Sequence, residues 1–367
     1  MFPWLKNSWF KLREALTGER PPQAILLYGG DGLGKKEIAE ELGRLFLCES
    51  TSMSGYCGQC HACRLTLSGN HPDFYSVSSL PRTRIGIDAI RDIIASVAVT
   101  PKLGMGKAII IENAEMMTVE AANAVLKVLE EPQGRTLFIL TADRIQSLLP
   151  TVVSRCVAFR VPNPRFDEVK DWIYSNLATK GAAVSEELYR LNNCSPVDTV
   201  RFINSGYNRL YDSFTMTFAQ IMHEPYLTSR LMDILTEISV KTQTEEAERS
   251  AAAEQEKEKE TDKEKGRSKD KSKGARKSAC RLCIADIYNW LYHMLSDIMR
   301  YKTTGSCQRN LILNNVRMLS SFDHISVECL DRSLARLKEM AQRERSMPNL
   351  YASLELTAFF NDLIRGI

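Results

Sequence analysis

The sequence predicts an α/β domain built on a parallel sheet, followed by a region that consists of helices alone. Three short apolar runs with the composition of buried strands, residues 24–28, 107–111 and 136–140, alternate with helical patterns in the first half of the chain. Buried strands that alternate with helices are typical of a parallel sheet covered on both faces. After residues 162–164, Pro-Asn-Pro, the apolar residues follow helical spacing to the end of the chain.

Helical patterns connect the three strand runs. The first pattern follows Gly29 and Gly30, and it places four apolar residues on one face: Ile38, Leu42, Leu45 and Phe46. Residues 118–130 form the second pattern, which ends before Pro132. Helices of the second half are expected to begin near Phe166, Val184, Pro196, Thr228, Cys280, Gln308, Val327 and Asn349. An apolar stripe within residues 281–299 predicts packing in a helical bundle.

Composition narrows the class of protein. The chain has 367 residues, of which 44% are hydrophobic and 25% charged, so it is globular and long enough for two or three domains. Its net charge of +3 is too small to predict a nucleic-acid partner by itself. No apolar run approaches the roughly 18 residues of a membrane helix, and residues 1–16 make a poor secretory signal. We therefore expect a cytoplasmic protein with reduced cysteines, in which clustered cysteines bind metal.

Residues 245–278 break the helical pattern. The segment contains no Val, Ile, Leu, Met, Cys or aromatic residue, and its acidic first part is followed by a basic second part. Such a composition cannot bury enough apolar surface to offset the entropy of ordering, so we interpret it as a disordered, charged insertion between two helices. The alternative is a basic arm that contacts DNA phosphates, although the neighbouring acidic part would neutralise much of its charge.

The sharpest local motif is the glycine-rich stretch of residues 29–36. It follows a strand and opens a helix, which is the setting of a phosphate-binding loop. Gly29, Gly32 and Gly34 would turn backbone N–H groups toward phosphate oxygens, and Lys35 would reach the phosphates. However, Lys36 stands where such loops place the Ser or Thr that holds Mg²⁺. This favours a relic loop that supports the fold over a catalytic one.

The end of the second strand run shows a related defect. Glu112 and Asn113 follow the run at 107–111, where an ATPase of this class usually has Asp-Glu. Glu112 could still serve a metal ion, whereas the neutral amide of Asn113 cannot act as a general base.

Four cysteines predict a metal site. Cys48, Cys57, Cys60 and Cys63 have the spacing C-x8-C-x2-C-x2-C. Four thiolates that converge tetrahedrally form a closed structural Zn²⁺ site, which leaves no position open for catalysis. His61 is interpreted as a surface residue. A further pair, Cys280 and Cys283, lies on a predicted helix without a partner pair nearby, so packing is the favoured interpretation.

Arg155, in the sequence Ser154-Arg155-Cys156, is a candidate arginine finger. A planar guanidinium at a domain edge can neutralise charge on a phosphate that a neighbouring subunit binds. A lone arginine would favour a surface salt bridge instead, so the assignment depends on the surrounding motifs.

These motifs occur in the order of one known family. They are the glycine loop at 29–36, the four cysteines, His71-Pro72-Asp73, Ile-Asp-Ala-Ile-Arg at 87–91, Asn-Ala-Val-Leu-Lys-Val-Leu-Glu-Glu-Pro at 123–132, and Ser-Arg-Cys at 154–156. Over about residues 1–205 the chain resembles the clamp-loader AAA+ proteins, most closely the delta-prime type of bacterial DNA polymerase III. The resemblance implies a Rossmann-like AAA+ P-loop domain at 1–162 with a zinc module at 48–63. It also implies a small helical lid at 163–206 and an all-α collar at 207–367, interrupted by the insertion at 245–278.

The resemblance also implies a function. Proteins of this family form a loader that opens the sliding clamp and places it on primed DNA during chromosomal replication. The implied partners are the gamma/tau and delta subunits, together with the clamp and the primed DNA inside the complex. The arginine of the family's Ser-Arg-Cys motif reaches the ATP of the adjacent gamma/tau subunit, and this role falls on Arg155. ATP binding by the chain itself is expected to be weak or absent.

The sequence leaves two alternatives to a non-hydrolysing subunit. One is an ATP-hydrolysing motor of the gamma/tau type, which Lys36 and Asn113 disfavour. Val197 disfavours it as well, because family ATPases often have Gly-Ser-Met-Arg where this chain has Cys194-Ser195-Pro196-Val197. The other is a stand-alone DNA-binding protein, against which the modest net charge argues.

Overall fold

The computed structural model describes residues 2–52, 55–78, 84–178, 184–221, 233, 284–305, 322–346 and 352–366. The chain divides into two compact units. The first comprises Met1–Ser175 with Asn193–Val197, and the second comprises Asn176–Asn192 with Asp198–Ile367. Within the described ranges, no helix has the length and apolar character needed to cross a membrane.

A five-stranded parallel sheet forms the centre of the first unit. Its strands are β1 (Ala24–Tyr28), β2 (Phe74–Val77), β3 (Lys107–Ile111), β4 (Thr136–Ala142) and β5 (Val157–Arg160). Their order across the sheet is β2-β3-β4-β1-β5. The three strands predicted from the sequence are confirmed and occupy the centre. Sequence reasoning missed β2 and β5, because these short edge strands are largely solvent-accessible and lack a continuous apolar run.

Helices cover both faces of this sheet. Those of the first unit are α1 (Lys6–Thr17), α2 (Lys35–Leu47), α3 (His61–Ser68), α4 (Ile87–Ala98), α5 (Val119–Glu130), α6 (Pro150–Val153) and α7 (Phe166–Ser175). Residues of α1 and α2, such as Leu12 and Leu42, share one core with Leu27 of β1. Residues of α4 and α5, such as Ile93 and Val125, share a second core with the strands. This is the predicted α/β architecture, a parallel sheet with helices on both faces.

The register places the loops after three strands at one edge of the sheet. In the pairing of β1 with β4, Tyr28 lies opposite Ala142, and in the pairing of β3 with β4, Ile111 lies opposite Leu140. The residues that follow β1, β3 and β4 therefore emerge side by side, although they are far apart in sequence. Open α/β sheets bind ligands outside the carboxyl ends of their strands.

The remaining described elements are helices: α8 (Glu186–Leu191), α9 (Pro196–Asn204), α10 (Tyr207–Ile221), α11 (Ile284–Thr304), α12 (Val327–Ser346) and α13 (Ala352–Arg365). The predicted starts at Phe166, Pro196 and Val327 are confirmed, and α8 begins two residues after the predicted Val184. The predicted stripe is buried in one helical core through Ile287, Leu291, Met294, Leu295 and Ile298. The predicted starts at Thr228, Cys280, Gln308 and Asn349, the pair Cys280 and Cys283, and the insertion at 245–278 lie outside the described residues.

Candidate functional site

The glycine-rich loop at 29–36 connects β1 to α2 at the carboxyl edge of the sheet; we call residues 29–36 the cradle. The N-terminal segment packs against it, and the indole Nε1 of Trp4 donates to the carbonyl oxygen of Leu33 at 2.9 Å. Gly34 has φ +90°, and a Cβ there would meet the Phe2 ring at 2.6 Å and Leu5 at 2.8 Å. Only glycine suits both the left-handed backbone and this close approach.

Lys35 points back into the cradle. Its Nζ donates to the carbonyl oxygens of Gly29 and Gly30, each at 2.7 Å, and to Oδ1 of Asp143 at 2.8 Å. The Lys35 side chain is only 7% exposed. Since an ammonium group has three hydrogens to donate, these three acceptors account for all of them.

Lys36 pairs with Glu112 at the end of β3. Its Nζ lies 2.8 Å from Oε1 and 3.1 Å from Oε2 of Glu112. The hydroxyl of Ser76 on β2 also donates to Oε1 of Glu112, at 3.0 Å. The structure therefore places Glu112, which the sequence assigned to a nucleotide site, against Lys36, the residue that departs from the pattern of such a site.

Two acidic residues beside the cradle were missed from the sequence. Asp143 directly follows β4, and its backbone N–H donates to Oε1 of Glu115 at 3.1 Å. Burial raises the pKa of the Glu115 carboxyl. A polar residue at the carboxyl end of a central strand is the signal that could have pointed to Asp143.

The residues of the cradle do not fit a magnesium nucleotide. The ammonium of Lys36 occupies the place next to Glu112 where the metal would bind, and Asn113 offers no base. In addition, Oδ1 of Asp31 accepts the backbone N–H of Gly32 at 2.7 Å, so a carboxylate takes one of the loop's own donors.

The four cysteines form a compact cluster. The Sγ atoms of Cys48, Cys57, Cys60 and Cys63 all lie within 4.8 Å of one another. Cys48 caps the C-terminus of α2, and Cys60 caps the N-terminus of α3, in which Cys63 lies. The four cysteines converge because the end of α2 positions Cys48 and the start of α3 positions Cys60 and Cys63.

Backbone N–H groups surround the cluster and favour thiolates. Cys48 Sγ accepts from the N–H groups of Ser50 and Cys57 at 3.4 and 3.3 Å, and Cys60 Sγ accepts from Cys63 at 3.3 Å. Hydrogen bonds from the backbone of Gln59 and then Cys60 lower the pKa of the Cys57 thiol to about 6. Burial raises the pKa of Cys48 and of Cys63. Four thiols this close cannot all ionise without a cation, so the cluster fits a sulfur-preferring metal ion.

The His71-Pro72-Asp73 motif connects α3, which carries Cys63, to strand β2 of the sheet. Asp73 is 1% exposed, and its carboxylate accepts the backbone N–H groups of Lys102 and Leu103, both at 2.9 Å. Nδ1 of His71 accepts the backbone N–H of Asp73 at 3.1 Å. The motif therefore ties the loop after α4 to the start of β2.

We expect Asp73→Ala to lower the free energy of unfolding by about 2–4 kcal/mol, because it leaves two N–H groups without their acceptor. Thermal and urea unfolding would measure this loss. Asp88→Asn, which removes a largely exposed carboxylate on α4, is the matched control and should change stability little. An Asp73→Ala variant as stable as the parent would contradict this structural role.

Arg155 is bonded to neither the cradle nor the cysteine cluster within the described part of the chain; its hydrogen-bond and ion-pair partners there are Thr151, Ser154 and Glu130. It lies between α6 and β5, where its Nη1 donates to the carbonyl oxygen of Thr151 at 2.9 Å. Its Nη2 pairs with the Glu130 carboxylate at the end of α5. The Arg155 side chain is 28% exposed and the Glu130 side chain 51%. A guanidinium held this way remains accessible from outside the chain.

Comparison with known proteins gives consistent matches to subunits of DNA polymerase III. The family model described as "DNA polymerase III, delta subunit" matches residues 5–165. A relative from Pseudomonas aeruginosa named DNA polymerase III subunit delta' is 37% identical over 209 residues, which covers 56% of this chain and 62% of the relative. The relative of the same name from Escherichia coli is 31% identical over 196 residues, covering 53% and 58%. The chain spans about three fifths of the length of these relatives.

Other matches are more distant. DNA polymerase III subunit tau from Salmonella typhimurium is 32% identical over 150 residues, which covers 41% of this chain and 23% of the relative. Among solved structures, a DNA polymerase III gamma subunit-related protein from Thermotoga maritima aligns over 98% of both chains, with a TM-score of 0.43 and 19% identity.

Proposed function

Since this chain belongs to the delta-prime family of DNA polymerase III subunits, we propose that it is a clamp-loader subunit that does not itself hydrolyse ATP. The observation that carries this proposal is the ion pair of Lys36 with Glu112, with Nζ 2.8 Å from Oε1. An ammonium at the place of the metal, beside the neutral Asn113, removes both the cation and the base that hydrolysis requires. The chain then acts as a rigid partner of subunits that do hydrolyse ATP.

The proposed partners are the gamma/tau and delta subunits of the loader. Inside that complex the chain takes part in placing the sliding clamp on primed DNA during chromosomal replication. The AAA+ domain at 1–162, the lid at 163–206 and the collar at 207–367 are the proposed divisions of the chain for this task.

Arg155 is the residue that we propose to act on a neighbour. Its side chain is partly exposed, and its acceptors in this chain are the Thr151 carbonyl, the Ser154 hydroxyl at 3.4 Å and the half-exposed Glu130 carboxylate. An exposed ion pair of this kind contributes only about 0.2–1 kcal/mol, so a phosphate on a neighbouring subunit can compete for the guanidinium. Arg155 would then neutralise charge on the ATP of the adjacent gamma/tau subunit.

The four-cysteine cluster is proposed to hold one structural Zn²⁺. Sulfur ligands from Cys48, Cys57, Cys60 and Cys63 would complete a tetrahedral shell, and Zn²⁺ would supply cross-linking of the module rather than chemistry. The burial of Cys48 and Cys63 supports a structural role.

The test compares the purified chain alone with the chain mixed with gamma/tau and delta subunits. We expect ATP turnover by the chain alone to equal the blank, and we expect the chain to co-elute with the other subunits in gel filtration. Turnover by the chain alone that disappears in Lys35→Ala would instead support a motor of the gamma/tau type. Failure to co-elute with either subunit would overturn the proposed function.

A further inference from the structure

Side chains of the protein itself form ion pairs at the two positions where a nucleotide site would bind phosphate and Mg²⁺. Asp143 lies against Lys35, where a phosphate would bind, and Lys36 lies against Glu112, where Mg²⁺ would bind. Both pairs have their closest nitrogen–oxygen distance at 2.8 Å.

Asp143 satisfies the last hydrogen of a buried ammonium. Lys35 is 7% exposed and already donates to the carbonyl oxygens of Gly29 and Gly30. A charge with so little access to water needs an anionic partner, and Asp143 supplies it. The position of Asp143 is itself defined, because its backbone N–H donates to the carboxylate of Glu115. A phosphate that accepts this hydrogen must therefore displace the Asp143 carboxylate, which is 47% exposed but extends from a backbone that the fold holds in place.

Lys36 is the counter-ion of Glu112, as Asp143 is the counter-ion of Lys35. The Glu112 side chain is 13% exposed and receives both the Lys36 ammonium and the Ser76 hydroxyl. Mg²⁺ demands oxygen ligands in a near-ideal octahedron, to which an ammonium contributes nothing and from which its charge repels the ion. The alternative to a blocked metal site is that Lys36, whose side chain is 54% exposed, moves away from Glu112 when a nucleotide binds.

The balance of charge also disfavours phosphates. Lys35 pairs with Asp143, and Lys36 pairs with Glu112. Asp31 adds a third carboxylate to the loop, so that among these five side chains the carboxylates outnumber the ammonium groups by one. In P-loop NTPases the bound Mg²⁺ offsets the negative charge of the site, but here the Lys36 ammonium lies against Glu112 where Mg²⁺ would bind.

We propose that Asp143 and Lys36 are specificity-determining residues that close the cradle to magnesium nucleotides by serving as its resident anion and cation. This inference rests on the proposed function in one respect, that a subunit which does not hydrolyse ATP has no need of a nucleotide of its own. The cradle is then ordered in the same way whether or not ATP is present.

Nucleotide binding by the full-length chain tests this proposal directly. A fluorescent ATP analogue is titrated into the wild-type chain and three variants, Asp143→Asn, Lys36→Thr and the double variant, each with Mg²⁺ and with EDTA. We expect the wild type to bind with a Kd above about 1 mM under both conditions. Asp143→Asn should bind at least about tenfold more tightly, because a neutral amide no longer competes for Lys35. The double variant should gain a further, Mg²⁺-dependent increase of about tenfold.

Two controls confine the effect to the cradle. Adding Lys35→Ala to the double variant should abolish the gained affinity, and Asp88→Asn should bind as the wild type does, since Asp88 is an exposed carboxylate on α4. Circular dichroism and thermal melting show whether each variant is folded, and tight binding by the wild type would refute the inference even if one variant is not.

Micromolar binding of magnesium ATP by the wild type would overturn the inference, as would a double variant that binds no better than the wild type. Neither result touches the proposed function, which depends on turnover and co-elution. A chain that bound ATP tightly without turning it over, yet still joined the loader, would refute only the inference.

Discussion

A loader reconstituted with the Arg155→Ala variant is expected to assemble normally and to hydrolyse ATP at least about tenfold more slowly in the presence of clamp and primed DNA. Arginine fingers contribute roughly 10³–10⁵ in rate in single-site phosphoryl transfer, and we expect a smaller loss here because other subunits of the proposed loader would supply arginines to other sites. Gel filtration of the complex and the stimulated ATPase rate are measured on the same preparation, so that assembly and chemistry are separated.

The ion pair with Glu130 offers a matched control. Glu130→Gln breaks the same contact within the chain but keeps the guanidinium, so it should retain most of the rate. Arg155→Lys should restore little, because an ammonium keeps the charge but loses the planar two-pronged geometry. If the Arg155→Ala complex hydrolyses ATP at the parent rate, Arg155 only links α5 to α6. If Glu130→Gln is as slow as Arg155→Ala, the loss comes from the local contact.

The second large effect concerns the cysteine cluster. The purified chain should contain one tightly bound Zn²⁺, and Cys60→Ser should lose the metal and lower the melting temperature of the first unit by about 10 °C or more. Structural zinc contributes its binding free energy to folding, and each kcal/mol lost shifts the melting temperature by about 2–4 °C in a domain of 150–250 residues. Metal analysis after purification without chelator, with thermal melting, gives both numbers.

Cys156→Ser is the control for that substitution. Cys156 is half-buried like Cys60, but it lies outside the cluster, so its replacement should leave the metal content unchanged. Absence of zinc from the parent chain would refute the metal site. Full zinc content in Cys60→Ser would remove Cys60 from the set of ligands.

Contacts between the segment that carries the cysteines and the helices of the first unit explain why loss of the proposed metal should destabilise more than the cysteine cluster itself. Tyr56 donates from its hydroxyl to Oε1 of Glu41 on α2 at 3.3 Å. A Cβ on Gly55 would lie 3.5 Å from the Trp9 ring of α1. The loop between the first two cysteines therefore contacts both helices of one face of the sheet, and unfolding of the module would disturb their packing.

The sequence was most informative where structure depends on near neighbours. The central strands β1, β3 and β4 are confirmed because their apolar runs are continuous and buried on both faces. The edge strands β2 and β5 were missed because partial exposure removes that pattern. The helix predicted over residues 118–130 is confirmed at Val119–Glu130, and the structure adds its N-cap, because Thr118 Oγ1 accepts the N–H of Ala121.

By itself, the sequence determined the α/β fold, the glycine loop, the convergence of four cysteines and the loss of the Mg²⁺ ligand at Lys36. These features need only a few consecutive residues, whose spacing sets the local geometry. The tertiary structure alone decided which charges meet: Lys35 with Asp143, 108 residues away, Lys36 with Glu112, 76 away, and Arg155 with Glu130, 25 away. The first two pairs form because a parallel sheet brings the carboxyl ends of its strands to one edge whatever their separation in sequence, and hydrophobic burial, which builds the sheet, carries no information about the charges it places side by side.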